Sequence, residues 1–321
     1  MYIRKNICVA LVLLLLMGAL SSCGGSIGNG DGVSVVTTVF PVYDWAQEII
    51  GERADNVKLT MLLDDGVDLH NYQPTTEDIV KVSSCDVFIY VGGESDSWVE
   101  SIIKTADNED MIVIDLMECM EKTLEEAVHH HEDDGHQHEH THTLDEHIWL
   151  SLRNAVEACG IIGDALIKAD AEGKDVYEKN LAEYTDKLEA LDARYADIFD
   201  GKQNKTVVFT DRFPFTYLCH DYGIDYCAAF DGCSTDTAAS PEVIKKLADK
   251  IDELSLGYVL TIEGSELMDF TNTVIGTTAA RNAKILTVNS LQAVTAADVK
   301  DGVDYFSVME NNLAVFAEAL N

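Results

Sequence analysis

Between residues 175 and 199 the chain carries Leu181, Tyr184, Leu188, Leu191, Tyr195 and Ile198 at alternating steps of three and four, with no Gly or Pro among them. That spacing lines one face of a single helix, about 37 Å long at 1.5 Å per residue, with apolar side chains. A dimeric coiled-coil seam needs such a repeat sustained over more heptads, so the stripe is read as a helix packed across the rest of its own chain. The same pattern lies on both sides of it. β-rich runs at Val33–Phe40, Val57–Leu63, Asp86–Val91 and Met111–Leu116 are each followed by a helical pattern, at Val42–Ile50, Thr75–Val82, Ser97–Ala106 and Ile148–Ala169. A second set of strands, Lys205–Thr210, Asp225–Phe230, Gly257–Ile262 and Lys284–Val288, is followed by helices at Pro214–Tyr222, Pro241–Ser255, Asp269–Asn282 and Asp304–Leu320. Strands alternating with helices argue for parallel sheets. The expected fold is α/β, two four-stranded parallel-sheet lobes joined by one long linking helix.

The ends of the chain set the rest of the organisation. Arg4 and Lys5 precede an apolar run from Ile7 to Leu20, the charged and hydrophobic regions of a secretory signal. The run stops at Leu20-Ser21-Ser22-Cys23, which resembles the lipobox of bacterial lipoproteins, where the Cys is lipidated and becomes the new N-terminus. Five of the residues from Gly24 to Gly32 are glycine, a flexible tether. The expected divisions are therefore a signal peptide at 1–22, a tether at 23–32, a first lobe at 33–170, a linking helix at 171–202 and a second lobe at 203–321. Such a body is extracytoplasmic and anchored to the membrane by lipid.

Charge narrows the partners. Against 57 Asp and Glu stand 22 Lys and Arg, a net charge of −35 that becomes two units more negative once Arg4 and Lys5 leave. Nucleic acids and anionic lipid headgroups are repelled, and cations are favoured. Beyond Cys8 and Cys23 there are six cysteines, with no CxxC spacing. Cys85 and Cys159 read as small buried hydrophobes, and Cys227 with Cys233 is the one pair close enough in sequence to test as a bridge.

Open α/β sheets bind ligands beyond the C-terminal ends of their strands. In the first half those positions hold Asp64-Asp65-Gly66-Val67-Asp68-Leu69-His70-Asn71-Tyr72 and, after a long loop, Asp145-Glu146-His147-Ile148-Trp149; in the second they hold Asp211 and Arg212, Glu263, and Asn289. A lone His is usually a satisfied core residue, and His220, mid-helix, is given that reading. His70 and His147 at equivalent strand ends, with carboxylates opposite, point instead to a divalent metal, zinc or, with more oxygen ligands, manganese. The tract from His129 to His142 holds seven His (His129, His130, His131, His136, His138, His140 and His142) and four acids. It cannot form a core. It reads as a solvated loop that collects divalent cations.

These residues resemble the zinc and manganese (cluster A-I) solute-binding lipoproteins of bacterial ABC importers. The likeness runs over the mature chain through Thr37-Thr38-Val39-Phe40-Pro41-Val42-Tyr43, Gly66 to Thr75, Asp145 to Ser151 after a His-rich insertion, Ile262-Glu263, and Tyr305-Phe306-Ser307-Val308-Met309. The resemblance implies one metal held in the interlobe cleft by four ligands. His70 and His147 match directly. The third position falls at Arg212, which cannot bind a cation, with Asp211 beside it. The fourth falls at Asn289, with Glu263 as a substitute or a support.

Two readings follow. Either His70, His147, Asp211 and Glu263 bind zinc, or Arg212 occupies the cleft and the ligand is a metal chelate or an anion. The expected function is extracytoplasmic capture of a divalent metal, zinc before manganese, by a monomer that delivers it to an ABC permease. A surface adhesin is the alternative of a different class. An enzyme is not expected, since there is no GxGxxG, and HExxH and GxSxG occur only as His138 to His142 within the His-rich tract and Gly24 to Gly28 within the glycine-rich tether.

Overall fold

The computed structural model describes residues 32–120, 124, 145–232 and 240–321. The leader, Cys23, most of the tether, the His-rich tract and Cys233 lie outside the described residues. The first half runs β1 (Val33–Thr37), α1 (Phe40–Ile50), β2 (Val57–Met61), α2 (Thr76–Ser84), β3 (Val87–Tyr90), α3 (Val99–Ile103), β4 (Ile112–Asp115), the one-turn α4 (Leu116–Cys119) and α5 (Leu152–Ala169). The helix α6 (Lys174–Phe199) then leads into β5 (Thr206–Phe213), α7 (Thr216–Tyr222), β6 (Asp225–Asp231), α8 (Pro241–Leu254), β7 (Tyr258–Ile262), α9 (Met268–Thr277), β8 (Lys284–Val288), α10 (Ala296–Lys300) and α11 (Tyr305–Ala319).

The strands form two four-stranded sheets, ordered β2-β1-β3-β4 and β6-β5-β7-β8, and every pairing is parallel. Helices cover the sheets, so the central strands are apolar on both faces; Val35, Val87, Phe88 and Ile89 are fully buried. The two sheets have the same strand order, and each leaves a crevice beyond its C-terminal edge where the order switches direction.

The apolar stripe of α6 is covered within the chain. Tyr177, Tyr184, Leu188, Leu191, Tyr195 and Phe199 are buried, against α1 and α5 of the first lobe and α11 of the second. Each such side chain contributes about 1.5–3 kcal/mol when fully removed from water. Polar tips are paired as well. The Tyr195 hydroxyl donates to the Met309 carbonyl at 2.6 Å, fixing the linking helix to the second lobe.

The observed elements follow the expected ones, with three differences of physical interest. The first strand ends at Thr37 rather than Phe40, because Pro41 sits in the first turn of α1, where its fixed φ and missing N–H suit a helix start. β5 extends to Phe213 instead of stopping at Thr210. Its register against β6 shifts between Phe209 and Arg212, a bulge that lets Arg212 and Phe213 pair with Phe230 and Asp231. α9 stops at Thr277, where Thr278 turns to extended backbone. Ser240 caps α8, accepting from the Val243 amide at 3.2 Å. Cys85, Cys159 and Cys227 are buried free thiols.

Candidate metal centre

His70 and His147 come from loops that follow β2 and β4, the two outer strands of the first sheet, and they converge. Their Nε2 atoms are 3.4 Å apart, with ring centroids 5.3 Å apart. Two imidazole nitrogens bound to one tetrahedral zinc at about 2.0–2.1 Å lie about 3.4 Å from each other, so this pair is spaced to share one ion.

The local sequence holds each ring by the same device. In Asp68-Leu69-His70 the Asp68 Oδ1 accepts from the His70 backbone amide at 3.0 Å, and in Asp145-Glu146-His147 the Asp145 Oδ1 accepts from the His147 amide at 2.9 Å. A short carboxylate folding back on the amide two residues on forms a tight turn, which launches a single 3-10 turn at Leu69–Asn71 and at Ile148–Leu150. Beyond the turn the two differ. Asp145 Oδ1 also lies 2.6 Å from His147 Nδ1, whereas His70 Nδ1 meets Ser95 Oγ at 2.9 Å and Glu146 Oε2 at 3.6 Å. A carboxylate only accepts, so it places the proton of His147 on Nδ1 and leaves the Nε2 lone pair for a metal.

The second lobe secures this arrangement. Thr216 Oγ1 donates to Asp145 Oδ2 at 2.8 Å, and the Tyr217 hydroxyl donates to the Asp145 carbonyl at 2.9 Å. Burial alone would raise the Asp145 carboxyl, but the charge and hydrogen bonds of His147, with Thr216, hold it below the usual carboxylate range. Burial and the neighbouring His147 push the His70 imidazole down, keeping it neutral. Two glycines make room. Gly93, at φ +81°, is backed by the Glu146 side chain where a Cβ would stand, and a Cβ on Gly232 would lie 2.6 Å from the Phe213 carbonyl oxygen and 3.2 Å from His147 Cε1.

The remaining expected residues are placed differently. Glu263 is committed: its two carboxylate oxygens accept from the Ser290 amide at 2.7 Å and the Ser290 hydroxyl at 2.6 Å, and Ser290 in turn accepts from Trp149 Nε1 at 2.8 Å. Asn289 Oδ1 accepts from the Leu291 amide at 2.8 Å, so it too serves its own turn. Asp211 is 3% exposed within the β5 bulge; Oδ1 accepts from the Arg212 amide at 2.9 Å, while Oδ2 has no hydrogen-bond partner among the described residues. Arg212 does not present a free cation to the cleft. Its Nη1 lies 2.8 Å from Asp68 Oδ2, a neutralising pair that removes the reason to expect an anion or chelate there. Among the described residues, no three His, Cys, Asp or Glu side chains form a group that could hold a metal. The imidazole pair is the nucleus of the candidate centre, and among the described residues the oxygens stand back from it.

Asp68, Asp145, Ser95, Glu146, Thr216 and Gly232 all shape this centre; in the sequence Asp68, Asp145 and Glu146 stood out only as members of the strand-end segments, with no role of their own, and Ser95, Thr216 and Gly232 did not stand out at all. The signal for two of them was present: Asp-x-His occurs at both histidines.

Residues 35–319 match the family described as ZnuA, zinc-uptake complex component A, periplasmic. The chain belongs to that family. Its match to the zinc-binding lipoprotein AdcA of Streptococcus pneumoniae serotype 4 is 31% identical over 292 residues, covering 89% of this chain and 55% of that protein. The chain thus spans about half the length of this relative. It is 28% identical over 319 residues to the high-affinity zinc uptake system protein ZnuA of Bacillus subtilis, covering 98% of this chain and 96% of that one. Among solved structures it resembles the Zn(II)-bound ZnuA-like domain of S. pneumoniae AdcA, with TM-score 0.69 and 26% identity over 90% of this chain and 99% of that one. The resemblance read from the sequence and the two-lobe fold with its linking helix are both borne out.

Proposed function

We propose that this ZnuA-family chain captures zinc outside the cytoplasmic membrane and delivers it to an ABC permease for import. The observation that carries the reading is the convergence of His70 and His147, whose Nε2 atoms stand 3.4 Å apart. Zinc-binding names and a zinc-bound structure among the relatives support the choice of metal over manganese. Asp211, with an uncommitted carboxylate oxygen, is the acid with capacity to add to the pair, and water fills what remains open. Glu263 and Asn289 support the surrounding loops, and Arg212 is a neighbour of the ion rather than a ligand.

The rest of the chain fits this role. Residues 1–22 direct export, Cys23 carries the lipid, residues 23–32 tether the body, and the lobes at 33–170 and 203–321 are joined through 171–202. His129 to His142 raise the local zinc concentration without forming the tight site. The protein works as a monomer and catalyses no reaction.

Calorimetric titration with zinc of the chain from Gly24 onward, with and without residues 129–142, tests the proposal. One tight site that survives loop deletion and is lost on His70→Ala is expected. Weak, multiple binding that disappears with the loop would overturn it.

A further inference from the structure

Among the described residues, Arg212 is the one basic side chain paired with a histidine turn of the candidate centre. It stands on β5 of the second lobe and crosses the cleft to Asp68 of the first, whose other oxygen holds the His70 amide. Its own backbone amide donates to Asp211 Oδ1. One residue therefore engages a carboxylate from each lobe, the first through its charge and the second through its backbone.

We propose that Arg212 is a resident cation with which the incoming zinc competes, and that it sets how tightly the ion is held and how fast it leaves. This rests on the zinc reading above. The guanidinium keeps its charge at every working pH, so a divalent ion at the imidazole pair always meets a fixed positive charge nearby. Asp68 is the group the two share. Zinc at His70 draws on the Asp68 charge, and each unit drawn weakens the hold on Arg212; by linkage, Arg212 on Asp68 weakens the hold on zinc by the same factor. The side chains of Arg212 and Asp68 are 24% and 20% exposed, so the guanidinium can turn to water as the ion arrives. A site of two neutral imidazoles with an adjacent fixed cation binds zinc less tightly than its ligands alone would, which suits a carrier that must surrender its cargo.

The test separates charge from shape. Zinc affinity and release rate are measured on the chain from Gly24 onward for wild type, Arg212→Gln, Arg212→Lys and Asp68→Asn, by competition with a chelating dye and by stopped flow. Arg212→Gln removes the charge but keeps a hydrogen-bonding head, and it is expected to bind zinc about five- to twentyfold more tightly, chiefly by slower release. Arg212→Lys keeps the charge and is expected to stay within about threefold of wild type, while Asp68→Asn, with Arg212 left unneutralised, is expected to bind more weakly. The melting temperatures of the zinc-free variants should differ little from wild type, because a partly exposed ion pair contributes little to stability. Weaker binding by both Arg212→Gln and Arg212→Lys would make Arg212 a mere strut between lobes and overturn the proposal. Unchanged affinity in Arg212→Gln would overturn it too. Absence of a tight site in wild type, or its survival on His70→Ala, would instead sink the zinc reading on which it rests.

Discussion

His70 and His147 sit on the same kind of turn, each held by an Asp two residues earlier, yet the two turns face different surroundings. The His147 turn is sealed: its ring is fully buried, its Asp145 binds both the backbone and the ring, and Thr216 and Tyr217 reach over from the second lobe to fix that acid. The His70 turn is looser. Its Asp68 bonds only the backbone of His70 and turns its other oxygen outward to Arg212, and the ring takes its orientation from Ser95. One imidazole is thus pre-set by the fold, and the other rests on contacts that solvent reaches. The proposed zinc centre would have a fixed half at His147 and an adjustable half at His70.

Deleting either ring should show the contrast at its largest. His70→Ala and His147→Ala both remove half of the imidazole pair and are expected to lower zinc affinity by at least about a thousandfold, as losing one strong ligand does. They should part company in stability. His147→Ala leaves the partly buried Asp145 carboxylate without its imidazole partner and is expected to cost the zinc-free protein about 2–4 kcal/mol, against less than about 1 kcal/mol for His70→Ala. Thermal melts of the two variants without metal check this, and equal losses would mean that the two turns are equally sealed.

A smaller effect is expected one shell out. Asp145→Ala should weaken zinc binding about 10- to 100-fold, because the ring loses both its tautomer and its orientation. Asp68→Ala should weaken it less than about tenfold, since Ser95 still holds the His70 ring. Isothermal titration of the two variants decides it, and the reverse order would show that backbone turn, rather than ring orientation, limits the site.

The same contrast explains what the sequence made legible. The lobes were readable because parallel strands buried on both faces leave apolar runs, and α6 because its stripe repeats without a breaker. His70 and His147 were readable because each follows a strand end and few other histidines exist outside the His-rich tract. The surroundings were not. Glu263 and Asn289 occupy strand ends as ligands would, but their oxygens serve Ser290 and Leu291, and only the folded turn reveals that. Asp211 and Arg212 were ambiguous by one residue, and the β5 bulge that settles which side chain faces where has no fixed signature in sequence. Gly232 follows β6 and abuts His147, from a part of the chain 85 residues away.

Acid should act on the pair before it acts on the fold. Burial and His147 depress the His70 imidazole, so its Nε2 lone pair remains available below the ordinary histidine pKa of about 6.5. Zinc affinity is expected to fall by less than about threefold between pH 7.5 and 6.5, then steeply as protons displace the metal. Competition titrations over that range check it. A steep loss already near pH 7 would mean that the His70 turn is too open to shield its ring.

The smallest effect concerns a buried acid placed away from the two turns, whose behaviour is the opposite of Asp145. Asp44, on α1, accepts from the Tyr305 amide of the second lobe at 3.1 Å and from the Tyr184 hydroxyl of α6 at 3.5 Å, joining both lobes to the linking helix. Among the described residues no basic side chain pairs with it. Burial, with Glu48 and Asp304 nearby, raises its carboxyl to about 7, while the two hydrogen bonds only partly offset that rise. The folded state therefore holds this proton more tightly than the unfolded chain, whose Asp titrates near about 3.9. As pH rises from about 4 to about 7 the unfolded state gains from ionising and the folded state does not, so the contribution of Asp44 to stability falls across that window and stays low above it. Asp145 runs the other way: its depressed pKa stabilises the fold above about 3.9 and that stabilisation is lost as pH falls through the folded value. Asp44→Asn retains an acceptor for the Tyr305 amide and carries no charge. It is expected to raise the melting temperature of the zinc-free protein at pH 8 by about 2–5 °C and to leave it unchanged near pH 4. A gain of equal size at both pH values would trace the effect to packing, and would remove Asp44 as the counterpart of Asp145.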